Sequence, residues 1–250
     1  MNLRTALSRV LAVAGTATLL LGASTGIGVS AVPQPTPVAN ISPGPGDVVG
    51  VAAAVTVTFA GPVANRAAVE RSIGFSSTDT PSGTFSWLDN DVLQWTPKEF
   101  WPAHSEITVS VGGAKTSFET SAAVVGVADI DAHTFTVSID DQVVREMPAS
   151  MGKPKFPTPT GTFSVLGKEN VVVMDSRTIG IPLSDPEGYK LTVYDAVRVT
   201  WGGVYVHGAP WSTGSQGYAN VSHGCINLSP DNAAWYFDNV SIGDPIIIRA

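Results

Sequence analysis

The chain has 250 residues, 44% of them hydrophobic and 14% charged, a composition that suits one large globular domain or two small ones. Its formal net charge of −7 argues against a nucleic-acid partner, which would reward a basic face. It excludes little else.

At the start of the chain, Arg4 and Arg9 precede an apolar run, Val10 to Ala23, and then small residues. Val29 and Ala31 fit the −3 and −1 positions of a signal-peptidase site, so residues 1–31 are expected to be a signal peptide cleaved after Ala31. An uncleaved anchor is the alternative, although the run is near the short limit for spanning a bilayer. Either reading exports the body of the protein to the cell envelope. No cysteine lies near the cleavage site, which excludes a lipoprotein anchor. The chain's one cysteine, Cys225, has no internal disulfide partner. A leftover thiol in an exported chain suggests intermolecular pairing or reactivity, whereas a buried free cysteine is also a common core residue.

VPQPTPVANISPGPGD (Val32 to Asp47) is Pro-rich and reads as a stiff, extended tether, with residues 32–37 assigned to the tether proper. From residue 38 to 122, short β-type runs alternate with turn signals: AVTVTF, GTFSWL, VLQWTP, EITVSV and KTSFET. Their spacing predicts a small β-sandwich with a helical turn at NRAAVERS. Trp87, Trp95 and Trp101 are assigned to its packing, and no catalytic cluster is expected there.

A second β-rich unit is expected over residues 123–250, with strands at VVGVADI, TFTVSID, QVVREMP, GTFSVLG, NVVVMDS, AVRVTW and GVYVHG. One helix stands out: Ser229 can cap it, Pro230 suits its first turn, Asp231 complements its dipole and AAWYFDNV supplies the apolar face. DPIIIR forms a final strand. The stretch from Asp175 to Val193, punctuated by Gly180, Pro182, Pro186 and Gly188, reads as a long loop of the kind used for lids or binding loops.

VHGAPWSTGSQGYANVSHGC (Val206 to Cys225) brings two histidines and the thiol together in sequence. A thiol becomes a strong nucleophile when an imidazole takes its proton. With His207 at one strand end and Cys225 at the start of the next strand, adjacent strands would juxtapose them. Gly224 permits a tight turn that frees backbone N–H groups for an oxyanion. Asn227 could orient a substrate amide or hold the loop. His223 would point to the opposite side if its segment is extended. The spacing alone leaves open a packed thiol beside a solvated imidazole, and zinc held by His207, His223 and Cys225. Their spacing matches no common zinc cluster.

The stretch HGAPWSTGSQGYANVSHGCINLSPDNAAWYF resembles the active-site signature of bacterial L,D-transpeptidases of the YkuD type, a His followed by S-H-G-C-x-N. GKPKFPTPTGTFSV, VVVMDSRTIGIPL and GYKLTVYDAVRVTWGGVYVH are similar to that family too, so the likeness runs from Val124 to Ala250. The exported N-terminus and the preceding sandwich resemble members with immunoglobulin-like domains. The resemblance implies a mainly β chain in which Cys225 is the acylated nucleophile and His207 its base. His223 and Gly224 would build the oxyanion site, with Asn227 in support. Tyr189 would contact substrate from a lid, Met174 and Trp211 would flank the pocket, and Ser222, which opens the signature, joins them in binding substrate. The family orients its imidazole through the carbonyl of the next residue, here Gly208 where comparable members carry Ser.

The implied reaction joins two peptidoglycan stem peptides. Cys225 attacks a donor tetrapeptide, the terminal D-residue leaves, and an acceptor amine resolves the thioester as a 3→3 cross-link. Carbapenems are the expected inhibitors, no cofactor or metal is implied, and the chain is expected to act as a monomer. Two alternatives stay open: a cysteine peptidase or L,D-carboxypeptidase acting on stems, and a non-catalytic envelope-binding module.

Overall fold

The structure, a computed structural model, describes residues 36–250. The expected signal peptide and most of the expected tether lie outside the described residues. Among these residues no helix is long and apolar enough to cross a membrane.

The first eight strands and one helix run in order as β1 (Val38–Ser42), β2 (Val48–Val49), β3 (Val55–Phe59), α1 (Arg66–Ser72), β4 (Gly74–Ser76), β5 (Gly83–Trp87), β6 (Val92–Pro97), β7 (Glu106–Val111) and β8 (Ala114–Thr120). They form two four-stranded sheets, β1-β3-β6-β5 and β2-β8-β7-β4. Inward residues of both, among them Val55, Val57, Leu93, Ile107, Val109 and Phe118, share one core, which makes the unit a sandwich. Trp95 and Trp101 pack at 5.0 Å between ring centroids within it, and Trp87 stacks on Phe59 while its indole N–H donates to Glu70 at 2.7 Å. All three tryptophans serve packing. Asn65 caps α1 by accepting from the Ala68 N–H.

The tether reading of Val38 to Asp47 needs correction. Val38–Ser42 pairs antiparallel with β3, and Ile41 is buried against the core. One valine and one isoleucine on an edge strand outweigh the flanking prolines, which fall outside the ladder.

The second unit comprises β9 (Val124–Asp129), β10 (Thr134–Ile139), β11 (Gln142–Pro148), β12 (Gly161–Ser164), β13 (Gly167–Asp175), β14 (Lys190–Arg198), β15 (Tyr205–Gly208), β16 (Ile226–Leu228), α2 (Pro230–Asn239) and β17 (Pro245–Arg249). A five-stranded sheet, β11-β10-β9-β17-β12, faces a four-stranded one, β13-β14-β15-β16. Their shared core holds Phe135, Met147, Val197, Val206, Ile226, Leu228, Tyr236 and Ile246. The chain is thus mainly β. Helix α2 starts as its caps require, with Ser229 accepting from the Asn232 N–H and Pro230 in the first turn.

The loop expected from Asp175 to Val193 is shorter than its punctuation suggests. Asp175, Met174, Val173 and Val172 pair with Lys190, Leu191, Thr192 and Val193, so both ends belong to a β-hairpin and the connection is residues 176–189. A 3₁₀ turn, Ser176–Ile179, opens it, with Asp175 accepting from the Arg177 N–H and Gly180 closing it in the left-handed region. The buried Ser176 hydroxyl accepts from the Tyr189 N–H at 3.0 Å, which ties the two loop ends together.

The two units meet through main-chain bonds and through a side-chain pair, His104 Nε2 with Asp140 Oδ2 at 2.9 Å. The Gly50 N–H donates to the Ile242 carbonyl at 2.9 Å and the Ala52 N–H to the Gly243 carbonyl at 2.8 Å. A Cβ on Gly50 would lie 2.0 Å from the Asp244 nitrogen, so the joint requires glycine there.

Candidate active site

Strands β15 and β16 run parallel and in register, with His207 opposite Asn227. Side chains alternate along a strand, so Val206, Ile226 and Leu228 enter the core while His207 and Asn227 share the other face. Cys225, two residues before Asn227, lies on that same face. Cys225, His207 and Asn227 all line one cleft of about 290 Å³, with Met174, Tyr189, Leu191, Trp211, Ser222 and His223 around them. Adjacent strands therefore juxtapose thiol and imidazole as the alternation implies.

His207 is buried, and its Nδ1 lies 3.0 Å from the Gly208 carbonyl oxygen. A carbonyl can only accept, so Nδ1 carries the hydrogen and Nε2 presents its lone pair. Burial holds this imidazole below its usual pKa, partly offset by the Gly208 bond. The half-buried Cys225 packs on an apolar floor that includes Val193, Ala196 and Tyr205. Those surroundings push its thiol up to about 11. Its S–H donates toward the Gly203 carbonyl at 3.6 Å. The resting pair is consequently a neutral thiol and a neutral imidazole.

None of the carboxylates nearest in sequence touches His207. Asp175 is hydrogen-bonded to Arg177, which holds its carboxyl down at about 2. Asp195 is raised by burial and by Asp238, and Asp231 sits in the first turn of α2.

Residues 222–225 bend sharply, with Gly224 at φ +118, a conformation that favours glycine. The segment is not extended, and His223 faces the cleft instead of the opposite side. Its ring packs against Phe156 and Tyr189, at centroid distances of 4.7 and 4.9 Å, and its Nε2 is 3.1 Å from Glu187 Oε2. The Gly224 N–H is not free: it donates to Ser222 Oγ at 3.0 Å, and that hydroxyl donates to the Cys225 carbonyl at 2.6 Å. A Ser hydroxyl two residues back satisfies the turn locally. Asn227 is buried and donates to Ser212 Oγ at 3.2 Å, anchoring the 3₁₀ turn Pro210–Ser212 beneath the cleft. Trp211 is half-exposed at the rim, 6.1 Å from the His207 ring.

Gly203, Ser212, Thr158, Lys153 and Glu187 were not singled out by sequence. Thr158 Oγ1 accepts from the Gly152 N–H and donates to the Gly224 carbonyl at 2.9 Å, bracing the signature from beneath. The quoted segment GKPKFPTPTG carries Lys153 and Thr158, so the signal lay inside a recognised stretch. A second cleft of about 420 Å³ lies beyond Met174 and Tyr189 and is lined also by Asp175, Arg198, Trp201, Gly203 and Tyr205. Among the described residues no group of three or more His, Cys, Asp or Glu is placed to hold a metal ion.

The YkuD family, described as the L,D-transpeptidase catalytic domain, matches residues 123–248, and the Bacterial Ig domain family matches residues 28–117. The chain belongs to the L,D-transpeptidases. It is 58% identical over 242 residues to L,D-transpeptidase 1 of Mycobacterium tuberculosis, covering 95% of this chain and 96% of that protein. An L,D-transpeptidase from Mycobacterium smegmatis is 73% identical, covers 86% of this chain and 100% of its own, and superposes with a TM-score of 0.84. LD transpeptidase LdtMt1, solved in complex with imipenem, is 59% identical, with coverage of 86% and 99% and a TM-score of 0.82. This L,D-transpeptidase is an enzyme with an immunoglobulin-like sandwich ahead of its catalytic domain.

Proposed function

We propose that this L,D-transpeptidase forms 3→3 cross-links between peptidoglycan stems through a thioester on Cys225. The observation that carries the reading is the His207 imidazole, fixed by the Gly208 carbonyl with Nε2 unprotonated, on the same face of paired strands as the thiol. In the first step His207 Nε2 takes the Sγ–H proton as sulfur attacks the carbonyl of the donor's third residue. The C–S bond forms, the C–N bond breaks, and the proton passes to the departing D-residue amine. In the second step an acceptor amine attacks the thioester and gives its proton to His207. The C–N bond forms, the C–S bond breaks and the thiol is restored.

Backbone N–H groups of the His223 to Cys225 segment are the natural oxyanion donors. The Gly224 N–H would have to exchange Ser222 Oγ for the oxyanion. Met174, Tyr189, Trp211 and Ser222 border the donor position, with residues 176–189 as a lid and Asn227 holding the cleft wall. Two clefts on either side of Met174 and Tyr189 suit a reaction with two substrates, which favours an amine acceptor over water. The imipenem complex of a relative supports a carbapenem as an acylating ligand here. Export to the cell envelope fits the N-terminal signal pattern and gives the thiol access to its polymer.

The test is mass spectrometry of the purified chain incubated with disaccharide-tetrapeptide. Cross-linked dimers lacking one terminal D-residue are expected. Accumulation of tripeptide alone would make the enzyme a carboxypeptidase, and unchanged substrate would make it a binding module.

A further inference from the structure

His223 is gripped by two separate parts of the chain. One is the segment before β12, which is stitched to the signature by backbone bonds. The Ser222 N–H donates to the Met151 carbonyl and the Lys153 N–H to the Ser222 carbonyl, both at 3.0 Å, and Phe156 covers one face of the ring. The other is the loop of residues 176–189. It supplies Tyr189 against the ring and Glu187 at its edge, with Glu187 Oε2 at 3.1 Å from Nε2. Lys153 donates to the same carboxylate oxygen, and Lys155 Nζ stands 3.9 Å from the other.

The chemistry of this cluster fixes a proton. Lys153 holds the Glu187 carboxyl below its usual pKa, so the group is ionised and can only accept. His223 therefore carries its hydrogen on Nε2 and points it at the loop. The ion pair and the imidazole are each only partly exposed, with 26% of the Glu187 and 18% of the His223 side chain open to solvent, so water competes weakly for the bond. Glu187 itself rides on a tight turn. Its N–H donates to Asp185 Oδ1 and the Gly188 N–H to the Asp185 carbonyl, each at 2.8 Å. Any movement of this turn away from the cleft breaks the contact with His223.

We propose that Glu187 is a positioning residue that couples closure of the 176–189 loop to the geometry of the backbone beside Cys225, acting through the ring of His223. This rests on the reading that Cys225 is acylated. His223 precedes Gly224, whose φ of +118 sets the bend that aims the following N–H groups. With Glu187 bound, the ring is confined by two aromatic neighbours and at one edge, and the bend has one orientation. Without it, the ring exchanges tautomers and the loop loses its polar attachment to the signature. Met174, Leu191 and Trp211 still receive the ligand, so binding survives while the chemical step slows.

The experiment uses the full chain and imipenem, following adduct formation by time-resolved mass spectrometry to separate the first-order acylation constant from half-saturation. Glu187→Ala should lower the acylation constant about tenfold, as expected for a lost bond to a charged group, with a smaller change in half-saturation. Glu187→Gln, whose amide oxygen still accepts from Nε2–H, should stay within about threefold of wild type. Lys153→Met should also stay close, because the Glu187 to His223 bond persists. Nitrogen-15 spectra of histidine-labelled protein should show the His223 Nε2–H tautomer in wild type and a mixture in Glu187→Ala. Wild-type acylation by Glu187→Ala with an unchanged His223 tautomer would overturn the proposal. So would equal losses in the Gln and Ala variants, which would assign the effect to charge. If Glu187→Ala does not fold, the Gln rate and its tautomer decide. Absence of any adduct on wild type would count against the acylation reading instead.

Discussion

The hydrogen bond from His207 Nδ1 to the Gly208 carbonyl does with backbone what many cysteine enzymes do with a side chain. A backbone acceptor tolerates any residue that fits. A Cβ on Gly208 would meet its nearest neighbours at 3.5 to 3.6 Å, which is ordinary contact. Gly208→Ser should therefore change carbapenem acylation by less than about tenfold, or 1.4 kcal/mol in barrier. Asp175→Asn and Asp195→Asn should behave likewise, whereas His207→Ala should lose several orders of magnitude. A collapse in either Asn variant with folding intact would mean that a carboxylate holds the ring.

The resting protonation states also set a pH signature. Burial depresses His207, so its base form persists below the usual imidazole range and acylation should fall only as pH drops through that lowered value. Burial raises Cys225 to about 11, so alkylation by iodoacetamide should keep climbing through pH 9 and level off near 11. A plateau near neutral pH would indicate a thiolate–imidazolium pair. A contiguous signature points to Cys225, His207 and Gly208, and the structure puts the first two on one cleft with the Gly208 carbonyl bonded to the ring. The sequence did not disclose the occupied Gly224 N–H, because that depends on the rotamer of Ser222.

At the scale of elements, local signals translated well. The Ser229 cap and Pro230 start α2, and the alternation in VLQWTP and EITVSV becomes β6 and β7. Non-local pairing was harder to see. β1 lies among prolines, β2 and β4 have two and three residues, and nothing local announces that β15 and β16 run parallel. Gly and Pro punctuation overstates the loop, because Lys190 to Val193 complete the hairpin. That hairpin delivers Tyr189 to the cleft while the Ser176 hydroxyl ties down its N–H. Tyr189→Ala should slow acylation more than it lowers the melting temperature, since the backbone tie survives. Unaltered acylation kinetics would reduce the loop to a surface connection.

At the scale of the molecule, the sandwich touches the catalytic unit through Gly50 and Ala52 on Ile242 and Gly243 and through His104 on Asp140, and none of these residues lines the cleft that holds Cys225. A fragment beginning at Ala123 should acylate within about tenfold of the full chain, about 1.4 kcal/mol in barrier, while melting earlier. Gly50→Ala should destabilise by about 1–3 kcal/mol through overpacking against Asp244, again with acylation retained. A folded but inert fragment would show that the sandwich contributes to the site.

The most direct test of the central claim is the intact mass of the whole chain after exposure to imipenem. Cys225 is the chain's one thiol, so wild type should gain a single adduct that maps to the peptide containing Cys225, and Cys225→Ala should gain none while keeping its melting transition. An adduct of equal yield on Cys225→Ala would place the nucleophile elsewhere and contradict the account.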